Sequence, residues 1–146
     1  MIIGSISENK DLEKRVSVTP EIAKKYISNG FEVLVQKDIA VHLGIKDDEF
    51  VKEGCLIESK ENILKKSDII LQHNLPDEND LSLITEKKIL IGNFNSNFNE
   101  EKLDKIKNKI SIFSMELLPR ITRAQSMDIL SSQANLAGYK AVIDAF

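Results

Sequence analysis

Short apolar runs recur along the chain and alternate with charged segments. The runs are Met1–Ile6, Phe31–Gln36, Cys55–Ile57, Ile69–Gln72, Ile89–Gly92 and Ile110–Phe113. Their apolar residues are nearly continuous instead of alternating with polar ones, which is typical of strands covered on both faces. Strands of this kind that alternate with helical segments indicate βαβ units. We therefore predict an α/β fold with a doubly wound, Rossmann-like parallel sheet of about five strands.

The segments between the runs carry helix signals. Thr19–Glu21 offers an N-cap, a proline in the first turn and an acid that favours the helix dipole, and Gly30 follows where the helix would end. The segments Lys60–Lys66 and Asn99–Asn108 repeat the helical spacing of apolar residues. We interpret the charges of these helices as solvated faces.

The last segment differs because small residues recur along it. They are Ala134, Ala137, Gly138, Ala141 and Ala145. Spacings of three and four positions put small residues on adjoining helix faces, which lets another backbone approach closely. We predict a long helix over residues 126–146 that leads to a second, absent subdomain, since no glycine or proline ends the pattern before Phe146. Its uncovered apolar surface would favour self-association.

Composition excludes several classes of protein. A chain of 146 residues with 42% hydrophobic residues is long enough for one domain with its own core. The 23 acidic and 20 basic residues are spread along the chain, so no basic stripe suits nucleic acid. No apolar stretch approaches the roughly 18–20 residues that cross a bilayer, so we expect membrane association only through a partner. The lone Cys55 and the lack of a leader-like segment favour a cytoplasmic compartment.

The densest polar cluster lies between the last apolar run and the last helix. It covers Pro119–Asp128 and continues with Ser131, Ser132 and Gln133. Ligands of open parallel sheets bind beyond the carboxyl ends of strands, so this loop is well placed for a binding site. The alternative is an ordinary capped loop, with Ser126 as the helix N-cap and Asp128 favouring the helix dipole. Spacing alone does not separate the two interpretations.

Two stretches carry a family resemblance. Residues Pro119–Val142 closely resemble the signature of the NAD(P) transhydrogenase alpha subunit, and more than twenty consecutive positions make the match specific. Residues Glu13–Glu21 and Gly30–Val35 are similar to the opening of the wider alanine dehydrogenase and transhydrogenase superfamily. Together the stretches make residues 1–146 resemble the N-terminal domain of that superfamily, the first half of a two-subdomain NAD(H)-binding component.

The resemblance implies a function and partners. Members transfer hydride between NAD(H) and NADP(H), coupled to proton movement across a membrane. The implied partners are a membrane-spanning component and an NADP(H)-binding component, and the implied assembly is a homodimer. The location would be cytoplasmic, peripheral to the inner membrane through those partner subunits. The isolated chain would be inactive.

The resemblance also implies site residues. The family holds the nicotinamide end of NAD(H) with an arginine, a glutamine, an aspartate and a serine, which correspond here to Arg120, Gln125, Asp128 and Ser131. Arg120 paired with Asp128 would present donors to the cofactor, Ser131 would offer a hydroxyl to the carboxamide, and Gln125 would lie nearest the second nicotinamide. Because both reacting carbons belong to cofactors, we expect these residues to position the rings instead of transferring protons.

Other features separate this interpretation from its alternatives. No two glycines are close enough to form a GxGxxG loop, so the pyrophosphate would bind elsewhere. Alanine dehydrogenases bind pyruvate with an arginine, a lysine and a histidine; Arg15 matches the arginine, but Gln72 replaces the lysine and Gly92–Asn97 contains no histidine. The remaining alternative is a non-catalytic binding module from a split gene. His42 and His73 have no further ligand at metal-binding spacing, so we expect no metal site.

Overall fold

Six parallel strands form a single sheet in the computed structural model, which describes residues 1–146. The strands are β1 Ile2–Ser5, β2 Glu32–Gln36, β3 Leu56–Glu58, β4 Ile69–Leu71, β5 Ile89–Gly92 and β6 Ser111–Ser114. Their order across the sheet is β3-β2-β1-β4-β5-β6. The prediction of a doubly wound parallel sheet is confirmed, with six strands instead of about five.

Five α-helices lie between the strands, and a sixth follows the last strand. They are α1 Pro20–Ser28, α2 Asp47–Lys52, α3 Lys60–Lys66, α4 Glu78–Leu83, α5 Glu100–Ile106 and α6 Ile129–Ala145. Three 3-10 turns cover Val41–Leu43, Met115–Leu117 and Thr122–Met127. The predicted start of α1 is confirmed, because the Thr19 side chain accepts a hydrogen bond from the backbone N–H of Ile22 and caps the helix.

Apolar clusters cover both faces of the sheet. On β2, Val33 and Val35 belong to one cluster with Phe50 of α2, and Leu34 belongs to the other with Ile63 of α3. Neighbouring side chains of a strand point to opposite faces, so a strand buried on both sides has no exposed position to fill with a polar residue. This arrangement explains the continuous apolar runs in the sequence.

The strand order creates a crevice at one edge of the sheet. Strand β1 lies between β2 and β4, so the chain winds outward from the centre in both directions. The connections that follow β1 and β4 therefore diverge beyond the carboxyl ends of these two strands. Doubly wound sheets bind ligands in the crevice that opens there.

The last helix begins three residues later than the sequence analysis predicted. Residues Thr122–Met127 form a 3-10 turn, and α6 starts at Ile129. The reason is the N-cap: the carboxylate of Asp128, not the hydroxyl of Ser126, accepts hydrogen bonds from the first helical N–H groups. Every residue of α6 from Leu130 onward is exposed. None of the helices combines the length and apolarity that a membrane crossing requires.

Candidate functional site

The four residues predicted for the site lie together at the start of α6. Arg120 precedes the 3-10 turn Thr122–Met127, Gln125 lies within that turn, Asp128 caps α6, and Ser131 is in the first helical turn. All four line one cavity of about 450 Å³, together with Leu118, Pro119, Ile121 and Ala124. We call this the polar-loop cavity. The chain therefore brings the predicted residues onto one surface.

Asp128 has a double role in this cavity. Its Oδ1 atom accepts hydrogen bonds from the backbone N–H groups of Leu130 at 3.0 Å and Ser131 at 3.1 Å. Its Oδ2 atom accepts a hydrogen bond from the Ser131 hydroxyl at 2.6 Å. The Ser131 hydroxyl, followed by these backbone donors, lowers the pKa of Asp128, so the carboxylate stays ionised. Residues Asp128 and Ser131 thus form a fixed carboxylate–hydroxyl pair on the cavity wall.

Arg120 and Gln125 are both exposed. The expected pairing of Arg120 with Asp128 is not present as an ion pair; the Asp128 oxygens accept hydrogen bonds from the start of α6 instead. Arg120 acts on Asp128 only as a nearby positive charge, the weakest of the influences that lower its pKa. The guanidinium of Arg120 and the amide of Gln125 are therefore available to a ligand, one as a cationic donor and the other as both donor and acceptor.

A second cavity lies on the other side of the α6 start, at the carboxyl ends of β4 and β5. It has a volume of about 550 Å³ and includes Leu71, Gln72, His73, Ile91, Gly92 and Asn93 from the strand ends, and Ile129, Leu130 and Gln133 from α6. Arg15, Ser17, Tyr26 and Met115 complete its wall. We call this the strand-end cavity. It lies at the carboxyl-end edge of the sheet, next to the crevice between β1 and β4.

Arg15 connects the amino-terminal loop to α6. Its Nε and Nη2 atoms donate to the Glu13 carboxylate at 2.9 and 2.7 Å, and its Nη1 atom donates to Oε1 of Gln133 at 2.9 Å. The hydrogen bond from Arg15 lowers the pKa of Glu13 to about 2. Arg15 therefore both lines the strand-end cavity and forms an ion pair with Glu13.

Glu8 is a partly buried acid near the strand-end cavity that the sequence pattern did not single out. It follows β1, and its carboxylate accepts hydrogen bonds from the backbone N–H groups of His73 at 2.6 Å and Asn74 at 3.3 Å. Burial raises the pKa of Glu8 despite these donors. Glu8 therefore joins the loops that follow the two central strands. The signal available in the sequence was an acid just after the carboxyl end of the first strand.

Two further residues that the sequence analysis considered are Cys55 and His42. Cys55 is buried just before β3, and burial raises the pKa of its thiol to about 11, so the reactive thiolate is disfavoured. The Nε2 atom of His42 lies 2.7 Å from the backbone oxygen of Lys14. No group of three or more His, Cys, Asp or Glu side chains is arranged to hold a metal ion.

The strand order, with a cavity beyond the carboxyl ends of β4 and β5, defines a Rossmann-like α/β domain. A family model described as "Alanine dehydrogenase/PNT, N-terminal domain" matches residues 4–137. The chain belongs to this family.

Relatives of known name support the same family. The chain is 39% identical to a protein of Rhodospirillum rubrum named as the first part of NAD(P) transhydrogenase subunit alpha, with 99% of this chain and 39% of that protein covered. It is 35% identical to the NAD(P) transhydrogenase subunit alpha of Haemophilus influenzae, with 99% of this chain and 28% of that protein covered. The chain thus spans well under half the length of these relatives.

Solved structures share the fold. The transhydrogenase from Sinorhizobium meliloti superimposes with a TM-score of 0.92 at 39% identity, over 99% of this chain and 44% of that one. An L-alanine dehydrogenase superimposes with a TM-score of 0.74 at 18% identity, over 80% of this chain and 32% of that one. The second likeness concerns the fold alone.

Proposed function

We propose that this chain is the nicotinamide-positioning part of the NAD(H)-binding component of a proton-translocating NAD(P) transhydrogenase. The observation that carries the proposal is the polar-loop cavity, since Arg120, Gln125, Asp128 and Ser131 line one cavity of about 450 Å³. The names of its transhydrogenase relatives agree with this assignment.

The residues of this cavity fit one end of NAD(H). A guanidinium, an amide and a carboxylate–hydroxyl pair offer donors and acceptors that match a carboxamide and ribose hydroxyls. They do not fit the pyrophosphate, because the glycines are too widely spaced for a phosphate-binding loop. We infer that the chain holds the nicotinamide end only, and that it is inactive on its own.

The chemistry of the cavity residues follows from their charge and exposure. Bound NAD(H) supplies the hydride, so the protein needs no acid or base for the transfer. Asp128 stays ionised and orients Ser131, which leaves the hydroxyl in one fixed position. Gln125 is exposed at the mouth of the cavity, where we expect it to approach a second nicotinamide. These side chains bind and orient the cofactor, which is how positioning contributes to rate.

The assembly around the chain is part of the same proposal. We propose that NADP(H) binds to a partner component, that a membrane-spanning partner couples hydride transfer to proton movement, and that the chain acts on the cytoplasmic side, peripheral to the inner membrane. Support comes from the relatives, which are named as subunits. The exposed apolar side chains of α6, among them Leu136, Tyr139 and Val142, support association as a homodimer.

Variants of the complete enzyme that contains this domain test the proposal. We expect Gln125→Ala to leave NADH affinity nearly unchanged and to slow single-turnover hydride transfer between NADH and an NADP analogue at least tenfold, because the side chain serves ring geometry more than ground-state binding. We expect Arg120→Ala to lower both affinity and rate.

Arg123 provides the matched control for Arg120. It is an exposed arginine of the same loop but does not line the polar-loop cavity. Arg123→Ala should therefore leave both affinity and rate within about twofold of the parent enzyme. Unchanged transfer rates in Gln125→Ala, or equal losses in the two arginine variants, would remove the basis for the assignment.

A further inference from the structure

A groove between helices α4 and α5 has an apolar floor that belongs to the hydrophobic core. Its volume is about 260 Å³, and we call it the α4–α5 groove. The apolar residues that line it are Leu81, Ile84, Ile106 and Ile110. Three of them belong to the buried core cluster and remain 5–7% exposed, and the half-buried Ile106 packs against that cluster. A ligand in the groove can therefore contact core side chains from outside.

Lysine side chains form the rim of the α4–α5 groove. Its charged residues are Glu78, Lys102, Lys105 and Lys109. Lys102 and Lys105 are three positions apart on one side of α5, and Lys109 follows the helix. Three lysines against one glutamate leave an excess of two positive charges, although the whole chain has a net charge of −3. The rim is therefore cationic in an acidic protein.

The lysines of the rim are available to a ligand. Neither Lys102 nor Lys109 forms an ion pair with another residue of the chain. Lys105 contacts Glu78 at 3.5 Å, but the two side chains are 68% and 66% exposed, and exposed pairs contribute little to stability. An anion can therefore bind these ammonium groups without breaking a strong ion pair.

Other classes of ligand use only part of this groove. A bare inorganic anion would meet only exposed lysines, whose attraction is weakened by water and salt. A neutral apolar molecule would gain nothing from the lysines. The volume of 260 Å³ lies below the range of about 300–1,000 Å³ that is typical of sites for drug-sized ligands, so the ligand must be small. A small molecule with an anionic head and an apolar tail uses both the rim and the floor.

We propose that the α4–α5 groove binds a small anionic amphiphile, a carboxylate carried on a short apolar chain. The apolar chain lies against the floor, and the lysines of the rim hold the carboxylate. This site goes beyond the proposed function, because the groove shares no residue with the polar-loop cavity or the strand-end cavity. Ile110 directly precedes β6, so this end of the groove lies at the amino ends of the strands, opposite the strand-end cavity.

Three probes that separate charge from apolar surface test the proposal. The 146-residue chain, labelled with ¹⁵N, is titrated with hexanoate, with 1-hexanol, which lacks the charge, and with acetate, which lacks the apolar chain. The titrations extend to about 20 mM, because so small a ligand gains limited binding energy. We expect hexanoate to produce saturable shifts of the backbone amides of Ser82, Ile106 and Lys109. We expect the other two probes to bind at least about fivefold more weakly.

The same titrations give the results that would overturn the proposal. If 1-hexanol binds as tightly as hexanoate, the lysines do not contribute to the site. If acetate binds as tightly, the groove attracts an adventitious ion only. Hexanoate shifts that do not saturate at Ser82, Ile106 and Lys109, or that are confined to other parts of the chain, also reject the site. None of these results bears on the proposed function, which is tested by hydride transfer in the complete enzyme.

Lysine variants provide a matched control within one segment of the chain. We expect Lys102→Gln and Lys109→Gln each to weaken hexanoate binding at least about threefold, because each removes one cationic donor. Lys107 lies between the lysines of the rim but pairs with Asp104 at 2.8 Å and does not line the groove. Lys107→Gln should therefore leave hexanoate binding unchanged. Equal losses in the Lys107 and Lys109 variants would indicate diffuse attraction by surface charge and would contradict the site.

A substitution of Ser82 tests the shape of the groove without removing a core residue. Ser82 is exposed on α4 and lines the groove. We expect the larger side chain of Ser82→Leu to compete with the apolar chain of hexanoate and to weaken its binding at least about fivefold, while leucine favours the helix. Asn79→Leu adds the same side chain to α4 outside the groove and should leave binding unchanged. Undiminished binding of hexanoate to Ser82→Leu would place the ligand elsewhere and reject the proposal.

Discussion

Gly4 lies in the central strand β1 at a point where α3 leaves no room for a side chain. A Cβ atom there would lie 2.6 Å from Cγ2 of Ile63 and would also collide with the hydroxyl of Ser67, and both residues are fully buried. We expect Gly4→Ala to lower the free energy of unfolding by about 1–3 kcal/mol through overpacking. Urea denaturation of the 146-residue chain measures this change.

Gly138 is the control for this substitution. It lies in the middle of α6, and a Cβ atom there would have no neighbour within 4 Å. Alanine favours helices over glycine, so Gly138→Ala should raise stability or leave it unchanged, by up to about 1 kcal/mol. A Gly4→Ala protein as stable as the parent would show that α3 can move away from β1.

Glu13 should contribute to stability in a pH-dependent way. Its pKa is lowered from 4.5 to about 2 by the hydrogen bond from Arg15, so the folded chain favours the ionised carboxylate. The stabilisation is fully present above pH 4.5 and disappears as the pH falls through about 2. We expect Glu13→Gln to have a lower free energy of unfolding than the parent at pH 6. The difference should shrink as the pH falls from 4.5 towards about 2.

Urea titrations at several pH values measure that difference. Glu21 is the control, because its ion pair with Lys25 is exposed at both partners. Exposed i,i+4 pairs contribute only about 0.3–0.5 kcal/mol, so the free energy of unfolding of Glu21→Gln should depend on pH in nearly the same way as that of the parent. A constant gap between Glu13→Gln and the parent across the whole range would mean that Arg15 does not favour the ionised form.

At the scale of elements, the start of α6 depends on Asp128. Its carboxylate caps the helix and holds the Ser131 hydroxyl, so removal of the side chain releases both. We expect Asp128→Ala to accelerate hydrogen exchange of the amides of Leu130 and Ser131, because these donors lose their acceptor. Asp128→Asn should preserve most of the protection, since asparagine caps helices nearly as well.

The two Asp128 variants also separate structure from charge. If the ionised carboxylate itself serves the site, the complete enzyme with Asp128→Asn should bind NADH more weakly although α6 stays protected. Ser126→Ala is the control, because Ser126 does not cap the helix. Faster exchange at Leu130 in Ser126→Ala would instead indicate Ser126 as the N-cap.

The elements themselves were predictable where the local pattern is long enough. Four of the six strands lie within the apolar runs of the sequence, β3 and β6 each extend one residue beyond theirs, and α1, α3 and α5 follow the helical spacing. Helices α2 and α4 have six residues each, and the sequence pattern did not single them out. Their formation depends on burial of Phe50 and Leu81 against the sheet, which the local sequence does not display.

At the scale of the whole molecule, the polar-loop cavity and the glycine pattern predict weak cofactor binding. Under the proposed function the cavity contacts one end of NADH, and the glycines of the 146 residues are too widely spaced to form a GxGxxG loop for the pyrophosphate. We expect calorimetric titration of this chain with NADH to give a dissociation constant well above about 1 μM. The complete enzyme provides the comparison. Submicromolar affinity of the chain alone would reveal a phosphate site elsewhere in it.

The sequence by itself determined the sheet and the loop. Continuous apolar runs such as Val33–Val35 require cover on both faces of a strand, which a parallel, helix-flanked sheet supplies. The loop residues from Arg120 to Ser131 lie within one short stretch, so the family resemblance of that stretch was enough to select all four as candidates. In both cases the deciding information is local.

The tertiary structure alone decided which distant residues meet. Arg15 reaches Gln133 across 118 positions, and Glu8 holds the loop of His73 across 65. The strand-end cavity exists because β4 and β5 lie side by side and the amino-terminal loop and α6 close over their ends. Contacts of this kind follow from strand order and from side-chain packing between elements. Neither the strand order nor the packing between elements can be read from the spacing of residues along one segment.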